Sequence, residues 1–116
     1  MDKFQTQRIT QLINNLEEFE CFEGVYWDFS DPFDIKANGK MVGCALTRIE
    51  FIWAEFEGSF FDLFGITIEE ERALFYAEGG DDIRQQIGLP PLTGKSTRFE
   101  VARNIRLFLE MQAVKD

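Results

Sequence analysis

Residues 47–56 read Thr47-Arg48-Ile49-Glu50-Phe51-Ile52-Trp53-Ala54-Glu55-Phe56, and whether they form a strand or a helix decides the fold. Ile49, Phe51 and Trp53 share one parity and Arg48 and Glu50 the other, before Ile52, Ala54 and Phe56 blur the alternation. A strand buried partly on both faces fits this pattern, while a run of this length without a breaker is also compatible with a helix. On the strand reading, Gly58-Ser59 suits a turn and Phe60 to Ile66 pairs back as a further strand.

Upstream, Phe22 to Phe29 is rich in aromatic and β-branched residues and predicts a strand near 21–29, ended by Asp31-Pro32 because proline cannot continue a ladder. Asn38-Gly39, between Phe33-Asp34-Ile35 and Met41-Val42, is the favoured dipeptide of a two-residue turn and predicts a hairpin over 33–45. Ahead of these lies a helical pattern. Asp2 and Gln5 make a capping-box start, and Ile9, Leu12, Ile13 and Leu16 recur on one face, so a helix is expected over about residues 3–18.

Downstream, Thr67 with Glu70 forms a second capping box, and Glu69, Glu70 and Glu71 fill a first turn where the helix dipole favours anions. That helix is expected to stop at Gly79-Gly80. A short helix from about Asp81 to Ile87 closes at Gly88, and Pro90-Pro91 forbids its continuation. Thr97 with Glu100 opens a last helix to about Ala113, along which Val101, Ala102, Ile105, Phe108, Leu109 and Gln112 trace a mostly apolar stripe. The expected fold is therefore α+β. A single domain over 1–116 carries an N-terminal helix, an antiparallel β-sheet over about residues 21–66, and C-terminal helices covering one sheet face, on which the first and last helices lay their apolar stripes.

With 116 residues, 45 % of them hydrophobic and 13 of them Phe, the chain can build a core of its own, which argues against disorder. No apolar run is long enough to span a membrane, and Met1 to Arg8 is too polar for the apolar run of a signal peptide, so a cytoplasmic location is expected. Cys21 and Cys44 read as two reduced thiols rather than a disulfide scaffold. The chain has no His. Zinc sites of the usual kind, Ser-His-Asp triads and Cys-His pairs therefore lack their residues, and the chain reads as non-enzymatic, with no cofactor.

Three motifs have structural explanations. Gly94-Lys95-Ser96-Thr97 before a helix resembles the end of a phosphate loop, but the earlier Gly would have to stand at Leu89, and Pro90-Pro91 removes two amide donors. Asp28, Asp31 and Asp34 recur every three residues and could converge on a hard cation, yet they lack the EF-hand spacing and suit turns. Asp31-Pro32-Phe33 matches a short adaptor-docking peptide, but such peptides work in disordered tails.

Charge carries the functional reading. Residues 17–36 sum to −6, residues 50–82 to −9 and residues 83–116 to +3, within a total of −9. A polarised acidic surface opposes direct nucleic-acid binding and steers basic partners. The expectation is an acidic protein that binds and neutralises a basic protein, one acting on nucleic acid, as toxin-immunity proteins and nuclease inhibitors do. The candidate contact residues are Asp28, Asp31, Asp34, Glu55, Glu57, Asp62, Glu69, Glu70, Glu71, Asp81 and Asp82. Exposed rings among Trp27, Trp53 and Phe60 would supply anchors. The alternative is a small-ligand-binding domain with an aromatic-lined apolar pocket, and a homodimer through an exposed aromatic patch is compatible with either.

Overall fold

The structure is a computed structural model that describes residues 1–22, 24–30, 33–36 and 38–115, without the side chains of Phe33, Val114 and Lys115. In chain order it comprises α1 (Lys3–Glu18), β1 (Cys21–Phe22), β2 (Val25–Trp27), β3 (Phe33–Ile35), β4 (Met41–Gly43), α2 (Ala45–Ile52), α3 (Phe60–Phe64), α4 (Ile68–Phe75), α5 (Asp81–Ile87) and α6 (Arg98–Lys115). The α+β class stands, with an N-terminal helix, one sheet and C-terminal helices. The sheet itself is smaller than expected.

Its order is β1-β2-β4-β3, with β2 and β4 parallel and the other two pairings antiparallel, so the sheet is mixed. The single strand expected over 21–29 is instead a tight hairpin that pairs Phe22 with Val25. The hairpin expected over 33–45 forms, with Ile35 opposite Met41, but its turn is wider than Asn38-Gly39 alone. The Lys36 N–H donates to Lys40 O and the Gly39 N–H to Lys36 O, each at 2.8 Å. The Asp31-Pro32 stop lies outside the described residues.

No part of residues 47–56 is strand: Thr47 to Ile52 belong to α2, and Trp53 to Glu55 form a turn after it. Ala45, Arg48, Ile49 and Ile52 fall on one helical face, and Arg48 is buried although its charge marks it as a solvent residue. The strand expected at 60–66 is replaced by a short helix over Phe60–Phe64. Ser59 accepts from the Asp62 N–H and Asp62 from the Ser59 N–H, a capping box that opens α3. Gly65 closes α3 at φ 72, where a side chain would be strained and a Cβ would meet Gln5 Oε1 at 2.6 Å.

The capping boxes read at Asp2, Thr67 and Thr97 all have their hydrogen bonds. Helix α4, however, ends at Phe75, ahead of Gly79-Gly80. Gly80 is needed for a different reason: a Cβ there would collide with the Arg72 carbonyl. Helices α1 and α6 pack against each other through Ile9, Leu12, Ile13 and Leu16 on one side and Val101, Ala102, Ile105 and Phe108 on the other. These stripes thus form a helical core with α3 and α4, rather than lying on the sheet as expected, while α2 packs on β4.

Candidate functional site

Five arginines turn their guanidinium groups toward backbone carbonyls, and three of them close the C-terminus of a helix other than their own. Arg98 donates to Leu16 O at 2.8 Å and Glu17 O at 3.0 Å at the end of α1. Arg8 donates to Leu63 O at 3.0 Å at the end of α3. Arg84, fully buried, donates to Ala73 O at 3.1 Å, to Tyr76 O and to Ala77 O at 3.0 Å at the end of α4. The last carbonyls of a helix have no partner within it and carry the negative end of its dipole, so a cation placed there satisfies both needs. Neither α1 nor α3 has a basic residue in its own last turn.

The two remaining arginines do not close helix ends. Arg72 donates to Gly79 O at 2.5 Å. Arg48 hydrogen-bonds Asn15 Oδ1 and, at 3.2 Å, Val25 O, between the rings of Trp27 and Phe22. Burial holds its pKa down at about 10, so it is still a cation at neutral pH.

The carboxylates take the opposite disposition. Glu55, Glu57, Asp62, Glu69, Asp81 and Asp82 are exposed, and so is Asp34. Asp62 doubles as a cap, and its pKa is lowered chiefly by the Ser59 N–H and then by the Ser59 hydroxyl. Asp81 pairs with the buried Arg84 at 2.6 Å. Lys36 lies 3.5 Å from both Asp28 and Asp34 and draws these two together, while Asp31 lies outside the described residues. Asp28 is half-buried, which raises its pKa, but hydrogen bonds from Ser30 and the charge of Lys36 bring it below its ordinary value. No cluster of metal-ligating residues occurs among the described residues.

Two of the expected acids are less available. The Glu70 carboxylate accepts from the Thr67 N–H at 2.8 Å and from Gln112 Nε2 at 3.3 Å. Glu71 is half-buried, and burial raises its pKa. Of the three first-turn glutamates, only Glu69 is fully open to solvent.

The expected aromatic anchors are also held from within. Trp27 stacks on Phe29 with centroids 5.5 Å apart and donates its indole N–H to Phe19 O at 2.7 Å. Trp53 meets Phe64 edge-on at 5.4 Å, and Phe60 packs against Phe64 and Phe75. The exposed apolar side chains are others, led by Ile68 at 73 %, Phe4 at 64 % and Phe61 at 61 %. Sequence reasoning missed them because Phe4 and Ile68 occupy helix starts and Phe61 lay in a supposed strand.

Two concavities lie elsewhere on the surface. An aromatic-walled groove of about 410 Å³ is lined by Tyr26, Trp27, Phe29 and Phe99, with Lys40 and Arg98 among its polar neighbours. An open trough of about 680 Å³ runs between α5 and α6. No helix among the described residues is long and apolar enough to cross a membrane. No known protein family matches this chain, and no curated protein or solved structure shows significant similarity to it.

Proposed function

We propose that this domain is a non-enzymatic acidic binding protein that captures and neutralises a basic protein, one acting on nucleic acid, in the cytoplasm. The observation that carries the reading is the division of charge. Arg8, Arg84 and Arg98 are committed to helix ends, whereas Glu55, Glu57, Asp62, Glu69 and Asp82 stand exposed. Carboxylates without local cations attract Lys and Arg of a partner and speed its approach. Two cysteines in a chain that can build its own core fit a reducing compartment.

The test is capture from the native host at low and high salt, with the parent and with a Glu55→Lys, Glu57→Lys, Glu69→Lys variant. A basic partner retained by the parent at low salt and lost by the variant supports the proposal. Retention that is indifferent to both salt and variant overturns it. The small-ligand reading has one observation in its favour, the groove walled by Tyr26, Trp27, Phe29 and Phe99. Native mass spectrometry showing a small molecule that departs on Trp27→Ala would decide for that reading.

A further inference from the structure

We infer that the cleft at the C-terminal end of α2 takes an arginine side chain of the basic partner, an inference that rests on the acidic-binder reading above. The ends of α1, α3 and α4 are each closed by an arginine from another helix, and the end of α2 is not. It has no basic residue in its own last turn. The Trp53 N–H closes that turn on Ile49 O, and among the described residues no donor reaches the carbonyls of Glu50, Phe51 and Ile52. Such oxygens carry the negative end of the helix dipole. Phe51 and Ile52 also line a cleft of about 440 Å³, together with Trp53, Ala54, Glu55 and Phe56.

Charge around the cleft has one sign. Residues 49–71 contain no Lys or Arg. Glu50, Glu55 and Glu57 are exposed, and their carboxylates have no hydrogen bond or ion pair among the described residues. Two arginines come near, and both are engaged. Arg48, one turn back on α2, is buried with its hydrogen bonds on Asn15 and Val25 O, and Arg8 lies 4.8 Å from the centroid of the Phe56 ring and donates to Leu63 O. Neither lines the cleft. Arg48 also shows what this chain uses to hold a guanidinium: a backbone carbonyl and the rings of Trp27 and Phe22. Carbonyls and rings recur at the end of α2, where Glu55 adds a carboxylate. A planar guanidinium can stack on an aromatic ring while its N–H groups bond several oxygens, which a lysine ammonium does less well.

The experiment titrates the intact protein at low salt with tri-arginine, tri-lysine and tri-citrulline, the last having the shape of arginine without its charge. Binding is followed by amide chemical shifts. The expected result is shifts centred on Phe51 to Phe56, largest with tri-arginine, smaller with tri-lysine and absent with tri-citrulline. Glu55→Gln should weaken tri-arginine about threefold. Phe51→Arg places a cation in the last turn of α2 and should both remove the shifts and raise the urea midpoint, while Phe51→Gln, which adds no cation, should not raise it. Shifts spread over Asp62, Glu69 and Asp82 and indifferent to Phe51→Arg would overturn the cleft and leave the acidic-binder reading standing. Equal binding of tri-lysine would overturn the choice of arginine. No binding of tri-arginine at all would overturn the inference, and the capture experiment above would then judge the acidic-binder reading by itself.

Discussion

The guanidinium of Arg48 lies 3.9 Å from the centroid of the Trp27 ring, and its hydrogen bonds go to Asn15 and to a backbone carbonyl rather than to a carboxylate. This one cation joins α1, β2 and α2. Arg48→Ala would leave Asn15 Oδ1 without its donor and open space beneath Trp27, and is expected to cost about 3 kcal/mol in urea unfolding. Arg48→Met together with Asn15→Leu removes the cation and its side-chain acceptor together, leaves only the Val25 carbonyl without that donor, and should recover much of that loss. A single alanine variant that unfolds with the parent would remove Arg48 from the supports of the fold.

Arg48 also explains why the deciding stretch misled. Reading it as a solvent residue splits the helical face of Ala45, Arg48, Ile49 and Ile52 and leaves Ile49, Phe51 and Trp53 as an apparent strand parity. Buried charge is invisible to a hydrophobic pattern because its compensation, here Asn15 and two aromatic faces, comes from elsewhere in the chain. The local signals fared better. Asp2 with Gln5, Thr67 with Glu70 and Thr97 with Glu100 are contacts within one turn, so spacing alone reveals them. Ser59 with Asp62 is the same device, hidden because Gly58-Ser59 also suits a hairpin turn. The exposed acids were legible for a similar reason, since a carboxylate without a buried partner stays in water. The half-burial of Glu71 and the inward hold on Trp27, Trp53 and Phe60 depend on which helices meet, which no single segment encodes.

Glu71 and Asp62 should tilt stability in opposite senses and in separate pH windows. Burial raises the folded pKa of Glu71 above 4.5, so the folded state binds that proton more tightly than the unfolded chain. Its contribution is unfavourable above the raised value and improves as pH falls through it toward 4.5. Asp62 has its folded pKa below 3.8, so its contribution is present above 3.8 and is lost as pH falls through the lowered value. Urea midpoints measured across this range should rise near neutral pH for Glu71→Gln and lose their slope just above 4.5. Asp62→Ala should lower the midpoint only above the second window. A Glu71→Gln profile parallel to the parent at every pH would contradict the assigned burial.

The contact between α1 and α6 should be indispensable. Ile13 and Ile105 are both buried in it, and a carboxylate at either place would be an unpaired charge in an apolar core. Ile13→Asp and Ile105→Asp are each expected to abolish cooperative unfolding, as seen by circular dichroism. Ile13→Val should cost only about 1 kcal/mol, because it removes one methyl group and adds no charge. A cooperative melt of either aspartate variant near the parent temperature would place its stripe outside the core.

Charge reversal separates binding from folding only where the carboxylate has no structural task. Glu70 caps α4 and Glu71 is half-buried, so lysine at either position would disturb the fold as well as the field. Glu55, Glu57 and Glu69 are exposed, and Glu69 contributes only about 0.3–1 kcal/mol through the helix dipole. The triple variant Glu55→Lys, Glu57→Lys, Glu69→Lys should therefore melt close to the parent. Its association with a captured basic partner should slow by about tenfold or more at low salt, because the change moves the net charge from −9 toward neutrality. At high salt the two proteins should approach each other in on-rate, since screening shortens the range of the field to a few ångströms. Stopped-flow measurement at the two ionic strengths reads both effects. An on-rate unchanged at low salt would show that these three carboxylates do not steer the partner and would move the contact surface to the α5–α6 side or to the sheet edge at Asp28 and Asp34.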